Sequence, residues 1–211
     1  MTEINHILEA ESYLRTADAV IFDLDDTLYS EKEYVKSGYR AVAALFPEVD
    51  GMADKLWAVF ERGGRAIDEV LEEEKLLDQK EKALQAYRFQ TPDIKLYTGV
   101  EELLERLRSV EKKIGIITDG RPEGQRAKLK ALHLYSVVDE IIVTDELGGV
   151  EFRKPNELAF RLMRERFGVP FERMVYIGDN PNKDFVAPEK LGMQWIYFKN
   201  KDGLYQTGVS T

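Results

Sequence analysis

The chain of 211 residues contains no cysteine. That absence excludes a disulfide framework, a thiolate metal site and a cysteine nucleophile, and it suits a reducing compartment. The only imidazoles are His6 and His133, too few for a three-histidine zinc centre. Any metal must therefore rest mainly on oxygen ligands, which favours a hard ion such as magnesium. No apolar run approaches the roughly 20 residues that span a bilayer. Residues 1–20 hold Glu3, Glu9, Glu11 and Asp18 in place of a basic start followed by an apolar stretch, so no secretory signal is expected. Positive charge is also in deficit, since 30 Lys and Arg stand against 39 Asp and Glu for a net charge of −9. Such a field repels nucleic-acid backbones and anionic membranes. The expectation is a soluble, cytoplasmic protein with neither a nucleic-acid nor a membrane partner; the sequence is silent on oligomeric state.

What is present is a normal globular composition, with 44% hydrophobic and 33% charged residues, in a length that suits one domain or a domain carrying a sizeable insertion. Five short runs rich in β-branched and aromatic residues recur: Ala19–Phe22, Ile114–Ile117, Ile141–Val143, Met174–Ile177 and Trp195–Phe198. Near-continuous apolar runs of this length predict strands buried on both faces. Between the later runs lie amphipathic segments of helical length, Gly99–Arg108, Gly124–Leu132 and Asn156–Arg166, the first with a capping box in Thr98 and Glu101. Alternation of strand and helix predicts an α/β fold, a Rossmann-like, five-stranded parallel sheet with helices on both faces.

The alternation fails once. Between about Ser30 and Gln90 no strand is expected; Tyr34–Phe46, Lys55–Phe60 and Ala66–Tyr87 carry apolar residues at helical spacing amid dense charge, with Gly51 and Gly63-Gly64 as breaks. This predicts an inserted α-helical cap at residues 30–92 and a core made of residues 1–29 and 93–211. Trp57 and Phe60 fit the core of such a cap. Arg62 and Arg65 flank a turn within it, where they are candidates for substrate contact.

The chemistry gathers where the strands end. The first expected strand stops at Asp23-Leu24-Asp25-Asp26-Thr27, the second at Thr118-Asp119-Gly120 and the fourth at Gly178-Asp179-Asn180, with Asp184 close behind. In open parallel sheets ligands bind beyond the carboxyl ends of the strands, so Asp23, Asp25, Thr118, Asp179 and Asp184 are expected around one crevice. Carboxylates crowded in this way raise one another's pKa unless a cation sits among them. Magnesium is the natural choice, and it commonly enters with a phosphate group. Lys154 supplies a positive charge able to reach the crevice, and Thr118 with the backbone N–H groups beside it can bind phosphate oxygens. Any one of these aspartates alone would be read as a helix cap or a turn residue.

The segment Phe22-Asp23-Leu24-Asp25-Asp26-Thr27-Leu28 resembles the first motif, Asp-x-Asp-x-Thr, of the haloacid dehalogenase superfamily. Thr118, Lys154 and Gly178-Asp179 through Asp184 match its second, third and fourth motifs, in order, and the similarity runs from about Ala19 to Phe198, including Gln125, Lys128 and Phe160. The insert directly after the first motif resembles the subgroup with a helical cap there. The resemblance implies that Asp23 is a nucleophile forming an aspartyl-phosphate, and that Asp25 is the general acid and base, which requires a pKa well above the ordinary ~3.9. It implies that Asp23, the backbone carbonyl of Asp25 and Asp179 hold Mg2+, with Asp184 and Asn180 in support. Lys154 and Thr118 would stabilise the transferring phosphoryl group, and Thr27, Asp119 and Gly120 would lie at the phosphate or substrate.

Retention of Asp25 implies phosphate-ester chemistry, because a departing halide needs no proton. The expected activity is a magnesium-dependent phosphatase acting on a small phosphorylated metabolite, such as a nucleoside monophosphate or a sugar phosphate. A phosphomutase of the β-phosphoglucomutase type and a non-catalytic phosphate sensor are the alternatives. Two features depart from the family pattern: Asp119 stands where Asn is common, and the segment Gly148–Arg153 before Lys154 is longer than usual. Asp119 either faces away from substrate or hydrogen-bonds a substrate hydroxyl, and Arg153 is expected in an ion pair.

Overall fold

Apolar runs that end in aspartate, glycine or threonine dictate strands buried along their length and terminated at a polar rim. The computed structural model, which describes residues 2–204, contains six of them: β1 (Thr2–Ile4), β2 (Ala19–Phe22), β3 (Lys113–Thr118), β4 (Glu140–Val143), β5 (Met174–Gly178) and β6 (Gln194–Phe198). They form one sheet in the order β1-β6-β5-β2-β3-β4, with every pairing parallel. The chain winds outward from β2 in both directions, so the crevice of such a sheet opens at the carboxyl end of β2, between β3 and β5. The register places Phe22 opposite both Ile116 and Ile177, and the residues that follow these three emerge together.

The helices are α1 (Glu31–Ala43), α2 (Met52–Glu61), α3 (Ala66–Glu73), α4 (Lys80–Arg88), α5 (Val100–Ser109), α6 (Pro122–Ala131), α7 (Leu158–Phe167) and α8 (Val186–Leu191). Among the described residues no helix is long and apolar enough to cross a membrane. The chain divides into two compact units, Met1–Glu31 with Lys95–Thr211, and Lys32–Ile94.

In the first unit, successive residues of each strand serve opposite faces. Ala19, Ile21, Ile117 and Tyr176 pack with Phe160 and Met163 of α7 and Ala187 of α8 in one cluster. The Phe160 and Tyr176 rings meet edge to face at 5.1 Å. Gly115 is what lets α7 lie close to the sheet, since a Cβ there would sit 2.8 Å from the Met163 sulfur. In the second unit, Val42, Leu56, Val70, Leu71 and Ala83 form a separate core with no solvent access, and the Tyr39 ring packs against Phe60 and Tyr87.

Three expectations need correction. The sheet has six strands, because Thr2–Ile4 pairs with β6; three residues with only Ile4 buried carry no periodic signal. The N-cap of α5 is Gly99 in a left-handed conformation with no side-chain cap bond, so Thr98 and Glu101 form no capping box. The stretch Ala66–Tyr87 is two helices, separated by Lys75 at positive φ and a short 3-10 turn at Leu77–Gln79.

The Phe160 side chain is fully buried against the middle of the sheet. Phe160→Ala is therefore expected to cost about 3–5 kcal/mol, read as a lower denaturant midpoint with an unchanged slope; a loss below about 1 kcal/mol would contradict this packing.

Candidate active site

β2 delivers Asp23 as the first residue beyond the strand, with its N–H donating to Ile177 O at 2.8 Å, so the loop starts locked to β5. β3 ends on Thr118, which is fully buried. β5 ends on Gly178, and Asp179 follows. A Cβ at Gly178 would fall 2.5 Å from the Asp184 carboxylate, which is why this position has no side chain. The Asp184 carboxylate folds back onto its own loop and accepts from Asn180 N at 2.9 Å.

The convergence places one carboxylate oxygen each of Asp23, Asp179 and Asp184 within 4.8 Å of one another, all three residues buried. One ammonium partly offsets them. Lys154 Nζ lies 2.6 Å from Asp23 Oδ1, 2.8 Å from Asp184 Oδ1 and 2.8 Å from the Tyr176 hydroxyl, with its side chain wholly buried. Three buried carboxylates outnumber the cations that act on them, Lys154 in contact and Lys183 at longer range, and leave an excess of negative charge. Burial outweighs the attraction of Lys154 and pushes the Asp23 carboxyl up to about 6. At Asp179, burial and then the neighbouring Asp23 and Asp184 push it up to about 9. Thr27 Oγ1 donates to Asp179 Oδ1 at 3.3 Å.

Asp25 lies outside this trio, in an environment of opposite character. Its Oδ1 is 2.6 Å from Lys128 Nζ, its Oδ2 accepts from Gln125 Nε2 at 2.8 Å, and the Tyr29 hydroxyl donates to it as well. Burial alone would raise Asp25, but Lys128 and these hydrogen bonds hold it below the ordinary carboxylate value. This corrects the expectation of a raised Asp25, and the cause is Lys128. Glu31 stands nearby, pushed up to about 8 by burial and by Asp25.

Asp119 neither faces away nor offers a bare carboxylate. Its Oδ1 accepts from Thr144 Oγ1 at 2.9 Å and from Lys154 N at 3.0 Å, and its Oδ2 is 3.4 Å from Lys183 Nζ. Its Oδ1 thus ties the β3 loop to the loop that presents Lys154, while the second oxygen, which Asn would lack, faces the Lys183 ammonium. Gly120 lines the same cavity of about 240 Å3 as Asp23, Asp25, Asp119 and Asp179. The Asn180 side chain accepts from Asn182 N at 3.1 Å within its own loop. Arg153 makes a two-pronged pair with Asp145 at 2.7 Å. Arg62 and Arg65 belong to the second unit, where they pair with Glu69 and Asp68. A larger groove of about 1130 Å3 runs along Leu8–Arg15 and Arg106–Lys112, but Arg106 is spent on Glu11 and Glu102, and among the described residues no group of three carboxylates converges there.

Tyr29, Glu31, Tyr176 and Lys183 were not foreseen from the sequence. A hydroxyl-bearing residue inside an otherwise apolar strand was the available signal for Tyr176. For Lys183 it was a lysine directly before Asp184.

A model of the haloacid dehalogenase-like hydrolases matches residues 17–192, and the chain belongs to that family. It is similar to the glyceraldehyde 3-phosphate phosphatase of Methanocaldococcus jannaschii, at 30% identity over 192 residues, covering 82% of this chain and 81% of the relative. The protein of the same name from Methanopyrus kandleri is 30% identical over 206 residues, covering 89% and 85%. Among solved structures, a HAD-superfamily hydrolase from Geobacter sulfurreducens superposes with a TM-score of 0.69 at 17% identity, covering 88% of this chain and 89% of that one, which is a likeness of fold.

The donor set fits a hard divalent cation, because three converging buried carboxylates, with Asp23 and Asp179 raised in proton affinity, carry an excess of negative charge that such an ion offsets. The sign of the pH dependence follows. Asp23 and Asp179 bind protons more tightly folded than unfolded. The stability they contribute is full below the ordinary value near ~3.8 and is lost as pH rises through about 6 and then about 9. In chelator the melting temperature should therefore fall over that window, and excess Mg2+ should reverse the fall while releasing protons. Asp179→Asn should flatten both effects. A Mg2+ response that is equal at both ends of the window, or a mutant that keeps it, would contradict this.

Proposed function

We propose that the protein is a magnesium-dependent phosphatase that hydrolyses a small phosphate monoester through a phosphoryl group on Asp23. The observation that carries this reading is the pair Asp23 and Asp25: two carboxylates at the end of one strand, one beside Lys154 and the acidic trio, the other clamped by Lys128 and Gln125. Paired carboxylates in contrasting environments take different roles. The names of the relatives support the same class of reaction.

In this reading Asp23 Oδ attacks phosphorus in line with the leaving oxygen. The bond to Asp23 forms as the bond to the leaving group breaks, and a proton from the Asp25 carboxyl ends on the departing oxygen. Water then attacks the aspartyl-phosphate, with Asp25 taking its proton. Asp25 is ionised at rest; the arrival of a phosphate dianion beside it raises its proton affinity, so it takes up a proton from solvent before the first step, regains one from the attacking water in the second, and returns it to solvent as product leaves. Lys154 and Thr118 contribute positive charge and a hydroxyl where phosphoryl charge develops, and Thr27 and Asn180 hold the loop that carries Asp179. Asp23, Asp179 and Asp184 would hold Mg2+, with the Asp25 backbone carbonyl; when bound, the ion neutralises phosphoryl charge.

The helical unit interrupts the core between β2 and α5, and we assign it the leaving-group selection expected of a cap, with Arg62 and Arg65 as its candidate contacts. The relatives favour a three-carbon sugar phosphate as substrate, so glyceraldehyde 3-phosphate heads the series to be tested, followed by other sugar phosphates and nucleoside monophosphates. Phosphate release should require Mg2+ and fall by at least about 10³-fold in Asp23→Asn. Release that survives this substitution would refute Asp23 as nucleophile. Isomerisation of a sugar phosphate without release would favour a phosphomutase instead.

A further inference from the structure

Gln125 and Lys128 sit three residues apart on α6, both buried, and neither has a role in the reaction as described. A buried ammonium and a buried amide are costly placements unless their partners need them. The hydrophobic anchoring of α6 comes from Leu129 beside them, with no solvent access. A methionine at position 128 would bury its side chain at lower cost.

What the two residues hold is Asp25. Lys128 Nζ is 2.6 Å from Asp25 Oδ1 and 2.7 Å from Gln125 Oε1. Gln125 Nε2 donates to Asp25 Oδ2 at 2.8 Å and also to Thr118 Oγ1. One helix face therefore grips both oxygens of the carboxylate and joins them to the hydroxyl at the end of β3. We propose that Lys128 and Gln125 are positioning residues that aim the Asp25 carboxyl at the oxygen leaving phosphorus. This rests on the reading of Asp25 as the proton donor above. As the Asp23–phosphorus bond forms and the phosphorus–oxygen bond breaks, the Asp25 proton passes to the departing oxygen. The carboxylate left behind is received by the Lys128 ammonium and the Gln125 amide, already in place.

A leaving group that needs no proton separates this role from general support of the fold. The value of kcat/KM reports steps up to the phosphorylated enzyme, so it isolates leaving-group departure. For an alkyl ester such as glycerol 3-phosphate, Lys128→Met should lower kcat/KM by about 10²-fold or more, the usual scale of proton transfer by a positioned group. For p-nitrophenyl phosphate, whose phenolate departs unprotonated, the loss should stay below about tenfold. Lys128→Arg should recover part of the alkyl-ester rate, and Gln125→Leu should show the same split if Lys128→Met fails to fold. Equal losses on both esters, or none on either, would overturn the proposal while leaving the phosphatase reading intact. A wild-type protein that releases phosphate from neither ester would refute both.

Discussion

Lys154 is the interaction on which the catalytic end of the fold depends. Its ammonium is wholly removed from water and touches Asp23, Asp184 and the Tyr176 hydroxyl at once. An unpaired charge in that position would be prohibitive, so the three elements that supply its partners must arrive together. Those elements are the end of β2, the middle of β5 and the loop that carries Asp184. The Lys154 backbone adds a fourth tie, donating to Asp119 beyond β3. The cation that binds the acidic cluster is thus also the rivet that brings four segments of the core to one point.

The site has two arms around that rivet. On one side Asp23, Asp179 and Asp184 carry more negative charge than Lys154 neutralises, and Asp23 and Asp179 hold their protons tightly. This is an arrangement that suits a divalent cation. On the other side Asp25 is satisfied by Lys128, Gln125 and Tyr29 and stays ionised at rest. Two aspartates separated by a single leucine thus live in opposite electrostatic surroundings, Asp23 against Lys154 and Asp25 against Lys128 and Gln125 of α6. The division of labour we propose, Asp23 as nucleophile and Asp25 as proton carrier, rests on that separation.

Much of this was legible in the sequence because strand ends are punctuated. Four of the five expected strands end on the residues that build the cavity or the loops beside it, and parallel topology alone brings Asp23, Thr118 and Asp179 together. The positions of Gly51 and Gly63 marked real helix breaks, both at positive φ. What escaped was whatever depends on three-dimensional pairing. Thr2–Ile4 is a strand only because β6 offers it an edge. Asp119 was left open between two roles, since nothing local shows that Thr144, Lys154 and Lys183 would claim its oxygens. The ionisation of Asp25 was misjudged for the same reason: its partner Lys128 lies a hundred residues away in the chain, on the helix after the second expected strand. Gln125 and Lys128 stood out only through family resemblance, because polar residues on a helix carry no mark of burial.

The central claim is that Asp23 itself carries the phosphoryl group in turn. The most direct measurement is acid quench of the protein during turnover of glyceraldehyde 3-phosphate in Mg2+, followed by proteolysis and mass spectrometry of the peptide containing Asp23 and Asp25. The account predicts an acid-stable, base-labile phosphoryl adduct on Asp23 that builds within the first turnover and vanishes when substrate is consumed. An adduct on any other residue, or steady turnover with Asp23 never modified, would contradict it.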